Sequence, residues 1–324
     1  MLSWSWRCTV GGVPSWLETS SATVQQLEGL DAHLPVISRG KTLGEVSTWG
    51  IGGPAKLFCE VHCELQLASV LRYCRKRSIP FLVVGRGSNC LFDDRGFDGC
   101  VILNRLCSFE RLAPGVYHAG SGYPFNALGI QSTNDGFSGL EFASGIPGTV
   151  GGAVFMNASA DGQETANVLK SVEVVTVNGQ KYELPRDKLT YGYRSSPFQT
   201  IQGLAAICSA TFVLTGCATA KENLRKYLKR RKETQPIGER SAGCVFRNPG
   251  FGCQSAGFLI DKAGLKGLSI GGAKVSELHA NFIINDGNSR ASDVIKLLSI
   301  VKERVKSKYG ITLEEEIIYV PFKQ

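Results

Sequence analysis

No run of apolar residues approaches the ~20 needed to carry a helix across a bilayer, so the sequence excludes a helical membrane span. Metal-ligand spacing is also missing. Of eleven cysteines, Cys59 and Cys63 have no matching C-x-x-C downstream, and no metal site is expected. An odd, scattered set of thiols does not suit a disulfide framework and fits a reducing compartment, where cysteines pack as small hydrophobes. Prolines are few, 12 against 38 glycines, and the glycines follow no period. That excludes a collagen-like chain and points to tight turns or backbone lying close to a ligand. The first residues have no acidic side chain before Glu18 and no apolar core of secretory length. They read as a remnant of an organelle-targeting segment or an arbitrary extension, not a secretory signal.

With 43% hydrophobic and 20% charged residues, the composition is that of a globular protein and excludes wholesale disorder. A length of 324 residues suggests two or three domains. The net charge of +8 is uneven. Residues 1–217 carry 17 Lys and Arg against 17 Asp and Glu, whereas 218–324 carry 19 against 11. The surplus in the last third calls for an anionic partner there, or else a solvated basic helix.

Along the chain, residues 1–35 read as a weakly structured extension. Residues 46–61 read as a Gly/Pro turn entering a strand. Leu67, Val70, Leu71 and Cys74 recur at helical spacing, and strands follow at 81–84 and 99–103. Asn178-Gly179 joins strands 171–177 and 181–184 as a hairpin, and 205–214 is a further strand. Segment 139–153 looks too glycine-rich for a regular element. Beyond a boundary near 217, helices are expected over 221–233, 254–263 and 292–309, with strands at 283–285 and 316–320. A first domain of two lobes (36–104 and 105–217) followed by a smaller one (218–324) is the expected organisation.

Two loops could carry chemistry. Gly85-Arg86-Gly87-Ser88-Asn89 follows a strand, and its glycines would let backbone N–H groups face a phosphate. Cys90 stands where a dinucleotide fingerprint needs its third glycine, and there is no Walker lysine. A plain turn and a phosphate loop are equally open. Gly145-Ile-Pro147-Gly148-Thr-Val-Gly151-Gly152, followed by Ala153, has four glycines and a proline in eight positions. It should offer donor amides free of side chains; a structural Ω-loop is the alternative.

These residues resemble a known family. Val84-Gly-Arg-Gly-Ser-Asn89, Gly139-Leu-Glu-Phe…Gly-Ile-Pro-Gly…Gly-Gly-Ala and Met156-Asn157-Ala158 look like the UDP-N-acetylenolpyruvoylglucosamine reductases. Further matches follow in order: Thr48-Trp-x-Ile-Gly-Gly53, Tyr193-Arg194-x-Ser196, Ser241-Ala-Gly-Cys-Val-Phe-Arg-Asn-Pro249, Leu265-Lys-Gly267, His279-Ala-x-Phe282 and Leu313-Glu-x-Glu316. The resemblance spans roughly 45–320. It implies an α+β fold: a two-lobed FAD-binding domain of the vanillyl-alcohol-oxidase type, then a smaller α/β substrate-binding domain. It implies bound FAD, NADPH as hydride donor and reduction of the enolpyruvyl ether of UDP-N-acetylglucosamine to UDP-N-acetylmuramate for peptidoglycan. The short stretch between Tyr193-Arg194 and the basic helix suggests the type II form.

Carried over residue by residue, the resemblance makes Arg194, Cys244 and Glu316 catalytic. A planar guanidinium suits a carboxylate whose charge grows as hydride arrives. Cys244 stands where the family most often has its serine proton donor, and a thiol, with an ordinary pKa of ~8.5, gives up a proton more readily than an alcohol. Thr48, the 85–89 loop and the Gly145–Ala153 segment would bind the cofactor. Tyr193, Lys232 and Asn248 would touch the substrate; Thr234 replaces a family lysine, whose charge Lys232 or Arg231 would supply. For His279 a buried structural role is as good a reading. A monomer in the cytoplasm is expected, or in a plastid stroma if the source is photosynthetic and eukaryotic, with no nucleic-acid or membrane partner. The alternatives are a flavin-dependent oxidase on the same fold, with a different C-terminal third, and a nucleotide or nucleic-acid binder using the basic helix. The latter would want aromatic platforms, and that segment offers only Tyr227.

Overall fold

The computed structural model describes residues 24–201, 203–250 and 252–323. Their contacts fall into two units that are discontinuous in sequence. The first takes in 24–38, 57–85 and 99–228; the second takes in 39–56, 86–98 and 229–323.

The first unit holds a six-stranded antiparallel sheet in the order Val24–Gln26, Gln180–Pro185, Leu169–Thr176, Leu204–Val213, Val116–Gly120 and Phe109–Ala113. The expected hairpin forms around Asn178-Gly179, with Gly179 at φ +81°. Strands rich in Val, Ala and Phe pack one face on the helix Phe125–Asn134 and on Phe142, Val150 and Val154. A second core lies under the helix Glu64–Lys76. Its Leu67, Val70, Leu71 and Cys74 pack with Cys59, Cys100 and Ile102 of the sheet Ala55–Val61, Phe97–Asn104, Phe81–Val84. The last two strands of that sheet run parallel.

Two expectations need correction here, and one helix had no counterpart in the sequence reading. Residues 1–23 of the expected extension lie outside the described residues, but Val24–Gln26 is an edge strand paired with Tyr182–Gln180. The segment 139–153 is not irregular throughout: a helix runs from Val150 to Met156. Thr149 caps it, accepting from the Gly152 amide, and Asn157 ends it in the left-handed region at φ 45°. Gly145 and Gly148 lie ahead of the helix, and of the two glycines inside it Gly151 is the one that packing requires. A Cβ on Gly151 would meet Ser121 Cβ at 2.8 Å. The helix Phe125–Asn134 was not foreseen, because Gly129, Ser132, Thr133 and Asn134 dilute its apolar spacing.

The second unit is built on an antiparallel sheet in the order Ser241–Cys244, Phe282–Asn285, Ala273–Val275, Ser269–Ile270. The helix Ala291–Tyr309 buries Val294, Leu297, Leu298, Val301 and Val305 in a core shared with Leu259, Ile260, Phe246, Ile283 and Trp49. Its first turn is capped by the Asp94 carboxylate, which accepts from the amides of Ala291 (2.6 Å) and Ser292 (3.1 Å). Gly310 at φ 71° closes it. Cys90–Phe92 pairs in parallel with Ile318–Val320. The expected last strand therefore starts two residues late, and Glu316 precedes it rather than lying within it. Among the described residues no helix is long and apolar enough to cross a membrane, and no group of three or more His, Cys, Asp or Glu side chains could hold a metal ion.

Candidate active site

The first unit contains Gly85, the Gly145–Ala153 segment, Tyr193 and Arg194. The two glycine segments meet at one point: a Cβ on Gly85 would lie 2.3 Å from Thr149 Oγ1. The expected row of donor amides is not met in the second segment. Gly148 N donates to Ile146 O, Val150 N to Tyr123 O and Gly151 N to Ser121 O, at 2.8–2.9 Å, while Gly152 N donates to Thr149 Oγ1. Of these glycines, Gly151 serves close backbone approach, to Ser121.

From the same helix the chain reaches Arg194. Gly192 and Ser195 exchange backbone hydrogen bonds at 3.1 Å, which places Tyr193 and Arg194 at the tip of a tight turn. Asn157, fully buried at the helix end, donates to Gly192 O and to Glu164 Oε2, both at 2.9 Å, and accepts from Ala166 N. Ser196 Oγ and Gln199 Nε2 both donate to Phe155 O. Arg194 has φ 52°, a strained conformation for a residue with a side chain and one that clusters at functional sites. Its Nη1 donates to Ser159 Oγ at 2.7 Å and Ser159 O at 3.2 Å, and its guanidinium carbon lies 5.5 Å from the Tyr193 ring centroid.

The second unit contains Thr48, Arg86–Asn89, Lys232, Cys244, Asn248 and Glu316. Here Thr48 and Glu316 bond to the two ends of the strand that carries Cys244. Thr48 Oγ1 donates to Ser241 O at 2.7 Å. Cys244, half-buried, ends the strand. The next residue, Val245, accepts through its carbonyl from Glu316 N at 2.8 Å. Asn89 Nδ2 donates to Glu316 O at 3.2 Å, and Asn89 O accepts from Ile318 N at 2.8 Å. Glu314 and Glu315 are exposed and Glu316 is half-buried. Glu315 is held by Lys302 at 2.8 Å. Gly87, at φ +58°, lies so close to the chain that a Cβ would meet Val46 O at 2.4 Å. Among the described residues the amides of Gly87 and Ser88 make no hydrogen bond.

Other expected residues sit differently. Lys232 is exposed, whereas Arg231 is half-buried and interacts electrostatically with Cys244. Burial holds its guanidinium below the usual range and Cys244 draws it back up. Asn248 Oδ1 accepts from Ala256 N at 3.0 Å, at the start of the helix Ala256–Lys262. His279 takes its structural role. Burial lowers its pKa, its Nδ1 accepts from Asn281 N at 3.2 Å, and its ring lies edge-on to Phe282 at 4.8 Å.

Comparison with known proteins decides the family. Residues 235–320 match the C-terminal domain of UDP-N-acetylenolpyruvoylglucosamine reductase, and residues 55–184 match an FAD binding domain. The reductase of Protochlamydia amoebophila is 51% identical over 86% of this chain and 92% of its own length. That of Chlamydia felis is 44% identical over 90% and 97%. The chain belongs to the UDP-N-acetylenolpyruvoylglucosamine reductase family. The crystal structure of the Thermus caldophilus member, MurB, superposes with a TM-score of 0.76 at 33% identity, over 89% of this chain and all of that one. The chain is thus an FAD-binding oxidoreductase with the expected order of an FAD-binding domain and a MurB C-terminal domain.

The residues present fit FAD. Ser144 Oγ and Asn126 Oδ1 are buried with no hydrogen-bond partner among the described residues. Both flank the Gly145–Gly148 loop, since Phe125 N donates to Gly148 O. A buried polar atom without a partner costs about 1–3 kcal/mol, so polar ligand groups suit this loop. The amides of Gly87 and Ser88 are likewise suited to an anion.

Several residues escaped the sequence reading. Thr149 hid among glycines, although a Thr three residues ahead of an apolar helix is a capping signal. Asn157 was visible as a motif position without a role. Ser144 and Asn126 carried no signal, since only burial sets them apart, and Arg231, expected as a source of charge toward the substrate, gave no sign of its place beside Cys244.

Proposed function

We propose that this chain reduces the enolpyruvyl ether of UDP-N-acetylglucosamine to UDP-N-acetylmuramate, as a type II enzyme drawing hydride from NADPH, in peptidoglycan precursor synthesis. The observation that carries the reading is the backbone linkage of Asn89, Glu316 and Val245 beside Cys244. It puts a thiol, a half-buried carboxyl and an amide side chain on adjacent backbone segments of one unit. FAD, once reduced, supplies the hydride that goes to the β-carbon of the enolpyruvyl group.

The chain's own residues do the rest. The electrons displaced by hydride addition collect on the α-carbon and its carboxylate, and one proton has to reach that carbon. Cys244 Sγ–H gives it, and Arg231 beside it stabilises the thiolate left behind. Arg194 binds the carboxylate, whose charge grows in the transition state, through a fork held by Ser159 and the strained turn. Glu316 suits the developing charge only in its protonated form, as a donor; an ionised carboxyl would repel it. The second reading, a flavin-dependent oxidase, required a different C-terminal third, and the match over 235–320 speaks against it. The proposal includes substrate binding within 218–324, FAD binding within 36–217, a monomer, and work in the cytoplasm, or in a plastid stroma if the source is photosynthetic and eukaryotic, without nucleic-acid or membrane partners.

The test uses purified, flavin-loaded protein. NADPH should bleach the flavin spectrum, and only UDP-N-acetylglucosamine enolpyruvate should restore it under anaerobic conditions. Bleaching that this substrate does not reverse would overturn the reading.

A further inference from the structure

The one position left open in the His279-Ala-x-Phe282 match is Asn281. It is 2% exposed. Its Oδ1 accepts from Phe246 N at 3.0 Å and its Nδ2 donates to Phe246 O at 2.8 Å. Its backbone O accepts from Val245 N at 2.9 Å. Its own N donates to His279 Nδ1, so the ring is neutral with its proton on Nε2. That agrees with the burial that lowers the His279 pKa.

The location of these bonds gives them their meaning. Ser241 pairs with Ile284 and Cys244 with Phe282, with a register shift between them. The irregular ladder ends at Cys244, and from there Asn281 holds the strand to its partner through Val245 and Phe246. A slip of one residue would turn Cys244 to the other face of the sheet. The same peptide receives Glu316, whose amide donates to Val245 O. Phe246 also bridges to Glu315, and Arg247 N donates to Glu314 O. A packing role would be filled by any side chain of this volume. Two opposed hydrogen bonds to one residue's backbone fix register instead.

We propose that Asn281 is a positioning residue of the reaction: it locks the Cys244–Phe246 backbone so that the Cys244 thiol and the Glu316 carboxyl are presented in one register. The inference rests on the reading of Cys244 and Glu316 given above. It predicts a defect confined to the half-reaction that uses them.

The test compares Asn281→Asp, Asn281→Leu and Cys244→Ala in full-length, flavin-loaded enzyme, with rates normalised to bound flavin. Asn281→Asp keeps the acceptor for Phe246 N and loses the donor to Phe246 O; Asn281→Leu loses both. Both should reduce flavin with NADPH at the parent rate and reoxidise it with substrate at least tenfold more slowly, with substrate Kd nearly unchanged. Lowering the pH should speed Asn281→Asp relative to Asn281→Leu, because a protonated carboxyl donates to Phe246 O as the amide does. If Asn281→Leu does not fold, this pH-dependent rescue of Asn281→Asp relative to the parent carries the test. Parent-rate reoxidation in the Asn281 variants beside a slow Cys244→Ala overturns the proposal. Equal losses in both half-reactions overturn it too, as a merely structural effect. Parent-rate reoxidation in Cys244→Ala instead removes the site reading beneath it.

Discussion

The side-chain amide of Asn89 donates to the backbone oxygen of Glu316, and the chain two residues later returns a hydrogen bond to Asn89 O. A residue expected to hold the cofactor thus also fixes the backbone of one expected to act on the substrate. Asn89→Ala removes the side-chain bond and keeps the parallel pairing of Cys90–Phe92 with Ile318–Val320. One such bond contributes about 1 kcal/mol, so the variant should fold. Loosening Glu316 should slow flavin reoxidation by substrate about fivefold, since 1.4 kcal/mol is a factor of ten. Stopped-flow measurement of that phase is the check; an unchanged rate would show that the bond does not position Glu316.

Glu316 is set apart from its neighbours by placement. Glu315 is engaged by Lys302 and exposed, Glu314 is exposed, and Glu316 is half-buried against Val245 and Asn89. Glu316→Gln should lower turnover by two orders of magnitude or more, as expected for a group that acts on developing charge. Glu314→Gln and Glu315→Gln should stay within about threefold of the parent. Steady-state kinetics on the three variants separates them, and a loss centred on Glu315 would shift the register by one residue.

Arg194 is held at φ 52°, where a residue with a Cβ is strained by roughly 1–2 kcal/mol. Arg194→Gly relieves that strain and Arg194→Met keeps it. Both lose the bonds to Ser159. Denaturation should therefore find Arg194→Gly about 1 kcal/mol more stable than Arg194→Met, while both lose comparable activity. Equal stabilities would mean that the turn relaxes once the guanidinium is gone.

The strongly periodic elements were legible. Leu67, Val70, Leu71 and Cys74 announce their helix and Asn178-Gly179 its hairpin, because local spacing and turn chemistry decide both. So was the ordered set of motifs that places the chain in its family. The short helix after Thr149 was hidden because Gly151, which lowers helix propensity, is needed there for contact with Ser121, and tertiary packing overrides propensity. The proximity of Arg231 to Cys244, and the clamp from Asn281, depend on chain segments far apart in sequence. No local pattern reports them.

Gly85 has no room for a side chain, because Thr149 Oγ1 and Cγ2 lie 2.3 and 3.0 Å from where a Cβ would stand. Gly85→Ala should push the two glycine segments apart and weaken flavin retention. Thr149→Ala clears both atoms and leaves the Thr149 Cβ at 3.2 Å, at the expense of the cap on Gly152 N, about 1 kcal/mol. The double variant should then retain more flavin than Gly85→Ala alone, a coupling that additive effects do not give. Flavin-to-protein absorbance ratios after gel filtration measure it. Additive losses would mean that the clash is absorbed elsewhere.

The parallel pair Cys90–Phe92 and Ile318–Val320 carries a pH-dependent contact. Tyr319 OH donates to Asp93 Oδ2 at 2.7 Å, and Arg95 donates to both carboxylate oxygens, Nε at 2.9 Å and Nη2 at 2.8 Å. Arg95 holds the Asp93 carboxyl well below the usual range. Burial first, then the hydrogen bond to Asp93, pushes Tyr319 up to about 12. A phenol whose folded pKa lies above its unfolded value near ~10 stabilises the fold fully below pH ~10. That contribution is lost as pH rises from about 10 to about 12. For Asp93 the sign reverses: its contribution is present above an unfolded pKa of ~3.9 and fades as acid protonates it. Tyr319→Phe should therefore be less stable than the parent by about 1 kcal/mol at pH 8, the size of one hydrogen bond at a partly exposed group. The gap should close between pH 10 and 12, as the parent's unfolded state ionises and the variant has no phenol to ionise. Denaturant midpoints for both proteins at pH 8, 10 and 12 give the gap directly. A gap that stays constant to pH 12 would show that the Tyr319 phenol does not titrate differently in the folded and unfolded chains.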